Sequence, residues 1–185
     1  MANWPARRFN KFVTILCLTF NKFSCIIKVQ KGDERPMMRT IWFDMDGTIA
    51  NLYAVDNWLD KLHAYDASPY AEAEVMLNMA LLARYLNKLQ KLGYRLGIIS
   101  WLAKFPTAEY DEAVTEAKKA WLGQHLASVS WDEIKIVKHG TPKEWFMESN
   151  ADILFDDEKP NREQWKGFAY EPSEILNVLH ELIKR

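Results

Sequence analysis

From Thr40 onward, short apolar runs alternate with longer stretches whose apolar residues recur every three or four positions, a pattern that predicts strands separated by helices. The strands fall at Ile41-Trp42-Phe43, Tyr94 to Ser100, Ile134 to Val137 and Ala151 to Phe155, with Phe168-Ala169-Tyr170 as a short fifth. Ser68-Pro69 opens a helix on which Val75, Met79, Leu82, Leu86 and Leu89 share one side, and Gly93 closes it. A second helix runs from about Thr107 to Leu126, and a third is C-terminal, with Ile175, Leu179, Leu182 and Ile183 in one stripe. Strands that are mostly apolar throughout are those covered on both faces. The expected class is therefore α/β: a doubly wound, Rossmann-like parallel sheet with helices on both faces.

The 185 residues allow one domain with a sizeable core, and 49% hydrophobic with 26% charged is ordinary for a soluble globular protein. A formal net charge of -1 leaves no electrostatic footprint for nucleic acid. A nucleic-acid end is thus allowed as a partner, though charge does not ask for it. The stretch before the first strand differs from the rest. Trp4 to Lys31 is basic through Arg7, Arg8, Lys11, Lys22, Lys28 and Lys31, and its one apolar run, Phe12 to Phe20, is too short to span a bilayer. No small-residue cleavage site follows that run. Cys17 and Cys25 both lie here, so no disulfide framework is implied and a reducing cytoplasm is the expected setting. Met37-Met38 immediately precedes the first strand. Residues 1–37 are expected to be an extension without a catalytic role, and 38–185 the working domain.

The candidate chemistry begins where the first strand ends, at Asp44-Met45-Asp46-Gly47-Thr48. A buried strand here delivers two carboxylates into one turn. Held near each other and near a phosphate dianion, they repel by roughly 4 kcal/mol per unit-charge pair at an intermediate dielectric, so a cation is needed among them. Hard oxygen ligands favour Mg²⁺. Asp44, at the strand tip, is placed to attack phosphorus and carry an aspartyl-phosphate. Asp46 is then free to protonate the leaving oxygen and later to activate water. Gly47 permits the close turn, and Thr48 has a hydroxyl and an N–H to offer phosphate oxygens.

Ile41 to Thr48, IWFDMDGT, resembles the first motif of the haloacid dehalogenase-like superfamily, whose members are mostly Mg²⁺-dependent phosphatases and phosphotransferases. The remaining three motifs are found in order. Ser100 matches the second, a Ser or Thr that hydrogen-bonds the transferring phosphoryl group. Lys143 matches the third, a lysine that neutralises nucleophile and phosphate; Thr141-Pro142-Lys143-Glu144 reads as a capping box that would set it in a first helical turn. Lys138, closer to the strand end, is its rival. Asp156-Asp157 matches the fourth motif, which implies Asp156 as a direct Mg²⁺ ligand and Asp157 acting through water or orienting its neighbours. The resemblance thus puts Asp44, Asp46, Asp156 and Asp157 around the cation.

Members of the superfamily often insert a cap after the first strand. Here residues 50 to 68 leave room for one helix and a loop, with Leu52, Tyr53, Val55, Trp58, Leu59 and Leu62 as an apolar stripe expected to be core. So small a cap leaves the cleft open. That suits a phosphate on a larger molecule or a nucleotide whose base stacks on Trp101, and the layout resembles the small 5′-nucleotidase-like members. Two alternatives compete with a phosphatase. A phospho-signalling receiver gathers similar groups, but carries its acid pair on the first strand and its phosphorylated acid on the third. A non-catalytic phosphate-binding protein would keep the fold, yet Asp44, Asp46, Ser100, Lys143 and Asp156 are all of the type that turnover requires. Dehalogenation is disfavoured by the acid at Asp46, which halide-displacing members generally lack.

Overall fold

The structure is a computed structural model that describes residues 39–184. The expectations for residues 1–37, including both cysteines, and for Met37-Met38 lie outside the described residues.

Five strands form one parallel sheet: β1 (Thr40–Phe43), β4 (Arg95–Trp101), β5 (Glu133–Val137), β6 (Ile153–Phe155) and β7 (Phe168–Tyr170), in the spatial order β5-β4-β1-β6-β7. Apolar β1 is central, fully buried and hydrogen-bonded on both sides, as its unbroken apolar run requires. Alternation along the strands then splits the core in two. Ile41, Phe43, Leu96, Ile98, Ile153 and Phe155 face α3 (Met79–Lys91), α4 (Ala108–His125) and α6 (Ile175–Lys184). Trp42, Ile99, Leu154 and Trp165 form the opposite layer, closed by a 3-10 turn at Lys143–Phe146 and by α5 (Lys159–Gln164). Trp42 lies flat over Gly97 of β4, where a Cβ would collide with its ring. The doubly wound class is borne out, with a thinner second layer.

The register decides what the rim can do. Phe43 of β1 pairs with Phe155 of β6 and with Ile98 of β4, so Asp44, Asp156 and Ser100 emerge at the same carboxyl edge. The Asp44 N–H donates to the Phe155 carbonyl at 2.9 Å, carrying the pairing one residue beyond the strand.

The segment between β1 and α3 differs from the single helix expected from Ser68. It contains β2 (Ala50–Asn51), a 3-10 turn at Leu52–Ala54, α1 (Trp58–His63), α2 (Ser68–Glu72) and β3 (Glu74–Val75). β2 and β3 pair antiparallel, with Ala50 opposite Val75, which draws Val75 out of the helical stripe and leaves it exposed. Asn78 then starts α3 afresh, its side chain accepting the Leu81 N–H at 3.0 Å. The insertion is therefore a closed unit from 50 to 75. It is fastened by Leu52 and Tyr70 against Ala103, Tyr110 and Val114, and by the Trp121 indole N–H donating to the Ala73 carbonyl at 2.7 Å. Among the described residues no helix is long and apolar enough to cross a membrane.

Candidate active site

The turn that follows β1 winds around one carbonyl: the N–H groups of Thr48, Ile49 and Ala50 all donate to Met45 O, at 3.1, 2.9 and 2.9 Å. Gly47 has φ +75, and a Cβ on it would run into the Asp157 carboxylate and the Tyr53 ring, so both backbone angle and space call for glycine. This turn aims Asp44 and Asp46 in different directions, and their surroundings diverge accordingly.

Asp44 stands with Asp156 and Asp157, one carboxylate oxygen from each lying within 4.8 Å of the others. Lys143 bridges the first two, its Nζ 3.0 Å from Asp44 Oδ1 and 2.6 Å from Asp156 Oδ2, with only 2% of its side chain exposed. Burial alone would lower the Lys143 pKa, but Asp44 and Asp156 outweigh it and hold the ammonium above its ordinary value. Burial, and next the charge of Asp44, raises Asp156. The same two causes push Asp157 up to about 7. Three carboxylates around one ammonium are a donor set of hard oxygens that fits a divalent cation, with Asp157 ionised when the cation binds. Lys138, the rival, is exposed at the surface.

Asp46 does not join that group. Its Oδ2 accepts from Lys118 Nζ at 2.5 Å, and the same ammonium donates to Ser100 Oγ at 2.7 Å and to the Trp101 carbonyl at 2.8 Å. Burial raises the Asp46 pKa, opposed by Lys118. Ser100 is fully buried. Lys118 is not among the residues the motifs point to, although the sequence carries a signal for it: it occupies the apolar stripe of α4, in step with Tyr110, Val114, Trp121 and Leu122. Asn161 is not among them either. Its amide donates to both Asp156 oxygens, at 3.1 and 3.3 Å, while Arg162 Nη1 donates to the Asp156 and Asp157 carbonyls at 2.9 and 2.7 Å. Nothing in the sequence around α5 announces this.

The residues expected to hold substrate are arranged differently from one another. Thr48 is buried, with its N–H donated to Met45 and its hydroxyl accepting the Asp157 N–H at 3.1 Å, so it braces Asp157. The Gly47 N–H donates to the Ala50 carbonyl at 2.8 Å. Trp101 lines the cleft, its indole N–H donating to the Thr141 carbonyl at 2.9 Å and its ring 5.1 Å from Lys143 Nζ. The capping box at Thr141 is not formed. The turn beginning at Lys143 is short and 3-10, and the Thr141 hydroxyl donates instead to the Lys138 carbonyl at 2.7 Å. Lys143 thus reaches the acids by packing, without a helix end to support it.

Over these groups opens a cleft of about 350 Å³. Asp44, Asp46, Lys143 and Asp157 lie in its walls together with Tyr53, Trp58, Leu59, Leu62 and His63 of the insertion, and Trp101, Phe105 and His139 opposite. Helix α1 buries none of its residues, and Tyr53 and Leu59 are each 47% exposed. The stripe expected to be core is therefore mostly cleft wall, with Leu52 as the buried exception. Ring contacts stiffen the mouth: Tyr53 against Trp58 at 5.2 Å, His63 against Phe105 at 5.6 Å and Trp101 against His139 at 4.9 Å between centroids.

No family model matches the chain, and no curated protein matches it in sequence. Solved structures do. The D,D-heptose 1,7-bisphosphate phosphatase from Burkholderia thailandensis matches with a TM-score of 0.51 at 13% identity, over 80% of this chain and 99% of that one. A chain of the Pnkp1/Rnl/Hen1 complex gives 0.47 at 15% identity, over 84% of this chain and 56% of that one. The HAD domain of the effector protein Lem4 from Legionella pneumophila gives 0.40 at 12% identity, over 80% and 94%. At such identities the likeness is one of architecture. What the chain shares with the heptose bisphosphate phosphatase is an α/β fold, seen here as a parallel sheet in the order β5-β4-β1-β6-β7 wound by helices on both faces.

Proposed function

We propose that this chain is a Mg²⁺-dependent phosphomonoester hydrolase that works through an aspartyl-phosphate at Asp44. The observation that carries the reading is the meeting of Asp44, Asp156 and Asp157 within 4.8 Å, with Lys143 bridging Asp44 and Asp156, beside an open cleft that Asp44, Asp157 and Lys143 line. Asp44, Asp156 and Asp157 would hold the cation, which supplies charge neutralisation for an incoming phosphate and polarises its oxygens.

The chain's own groups do the rest. A carboxylate oxygen of Asp44 attacks phosphorus and the bond to the ester oxygen breaks, with Lys143 beside the nucleophile to offset the negative charge gathered there. Asp46, raised above the ordinary carboxyl range by burial, carries the proton that the departing alkoxide needs. It then takes a proton from water for hydrolysis of the acyl phosphate. The Ser100 hydroxyl donates to a phosphoryl oxygen.

The substrate reading follows the walls. Tyr53, Trp58, Trp101 and Phe105 favour a flat or apolar alcohol, such as the nucleoside of a mononucleotide, over a second charged group. Hydrolysis of p-nitrophenyl phosphate in Mg²⁺, abolished by EDTA and restored by added Mg²⁺, tests the reaction class. A screen of mononucleotides, deoxynucleotides, phosphorylated metabolites and 3′-phosphorylated DNA ends tests the alcohol. Turnover undiminished in EDTA defeats the metal assignment.

A further inference from the structure

Desolvation penalises a fully buried lysine heavily unless its donors find acceptors, and Lys118 is 0% exposed in the middle of α4. Its ammonium has three N–H donors and no acceptor. Three acceptors surround it: Asp46 Oδ2 at 2.5 Å, Ser100 Oγ at 2.7 Å and the Trp101 carbonyl at 2.8 Å. The Tyr70 ring of α2 lies 4.8 Å from Nζ and closes the remaining side. One side chain thus joins the turn after β1, the tip of β4, helix α4 and the insertion.

We propose that Lys118 is a positioning residue that sets the direction of the two hydrogen bonds on which leaving-group departure depends. Because the ammonium only donates, Asp46 Oδ2 and Ser100 Oγ must both accept. Oδ1 is therefore the Asp46 oxygen left to face the substrate. The Ser100 hydroxyl, with a lone pair engaged, turns its own hydrogen away from Lys118 and toward a phosphoryl oxygen. Lys118 itself has no donor left for phosphate, which separates its role from that of Lys143. Tyr70 excludes water from the pair, so the insertion helps to hold the acid in place as well as to line the cleft. This inference rests on the phosphatase reading above and assigns the machinery that orients its proton donor.

Lys118→Met keeps length and apolar bulk and removes charge and donors. Its kcat and KM are to be measured in Mg²⁺ on p-nitrophenyl phosphate, a good leaving group, and on phenyl phosphate, a poor one, with inorganic phosphate as product inhibitor. Expected is a loss in kcat/KM, which reads ester cleavage and not the later acyl-phosphate hydrolysis common to both esters, of about 100-fold or more on phenyl phosphate and under about 10-fold on p-nitrophenyl phosphate, the signature of impaired proton donation. KM and the inhibition constant of phosphate should stay within about 3-fold of wild type, since Lys118 does not touch phosphate. Equal losses on both esters overturn the proposal, as does a rise in KM and phosphate inhibition constant as the main effect, which would make Lys118 a phosphate ligand. Should the Met variant not fold, Lys118→Arg takes its place; its wider fork displaces Asp46 and should give the same selective loss, and full activity on both esters overturns the idea. A wild type that hydrolyses neither ester defeats the phosphatase reading and this proposal together. A wild type active on both, with leaving-group dependence unchanged in the variant, defeats this proposal alone.

Discussion

Asp44 and Asp46 are two residues apart on one turn, yet they stand in contrasting company. Asp44 is grouped with two further carboxylates and shares Lys143, which reaches in from the turn after β5. Asp46 lies outside that group, bound to Lys118 from α4, and lines the same cleft. Each acid has one buried lysine, but only the first group gathers three carboxylates. Under the proposed function that difference separates the roles: the crowded side would receive a cation and a phosphate, and Asp46 would hold the proton.

Replacing each acid by its amide probes the contrast directly. Asp44→Asn keeps shape and should leave the fold intact while removing hydrolysis of p-nitrophenyl phosphate by at least about 10⁴-fold, as loss of a nucleophile does. Thermal unfolding of the variant beside its rate checks both halves. Asp46→Asn should be selective, with roughly 10²- to 10³-fold lost on phenyl phosphate and much less on p-nitrophenyl phosphate. Identical losses on the two esters would erase the distinction between the acids.

Smaller effects sharpen it. Trp58→Ala trims the aromatic cleft wall, and the stacking it removes is worth about 1 kcal/mol, or roughly a fivefold rise in KM for an aryl or nucleoside monophosphate. The KM for an aliphatic phosphomonoester should move less, and steady-state kinetics on the two classes decide. The crowded side should respond to pH through Asp157. Its pKa, held up to about 7 in the cation-free protein against an ordinary 3.8, means that the folded state keeps a proton the unfolded chain has already released between these values. Stability without Mg²⁺ should therefore be greater near pH 5 and fall as pH rises toward 7. Mg²⁺ needs the ionised form, so its affinity should rise over the same interval, several-fold weaker at pH 6 than at pH 7.5. Calorimetric titration with Mg²⁺ at the two pH values reads this, and Tm without the ion gives the complementary trend.

Much of this site was legible because each of its acids follows an apolar strand. Asp44 and Asp156 directly follow apolar strands and Ser100 stands one residue from the end of β4, a parallel sheet brings such ends to one rim, and the motif resemblance gave the expected role of each. Lys143 was legible from its motif, although the capping box thought to place it is absent and packing does that work. Lys118 and Asn161 were not, because each acts from one face of a helix, and which face meets the site depends on how the helix docks. The extent of the insertion was hidden for a related reason. Val75 has the spacing of a helix stripe, and only its pairing with Ala50 shows that it belongs to a strand.

By itself the chain's alternation of apolar runs and helical stripes determined the parallel α/β architecture, and its residue types at strand ends determined the chemistry on offer. Both depend on local periodicity and on strand direction, which a linear pattern encodes. Tertiary structure alone decided that Lys118 would meet Asp46, that Thr48 would brace Asp157, and that the stripe of α1 would line a cleft. Those outcomes follow from the rotation and docking of whole elements, which are set by contacts between residues far apart in the chain.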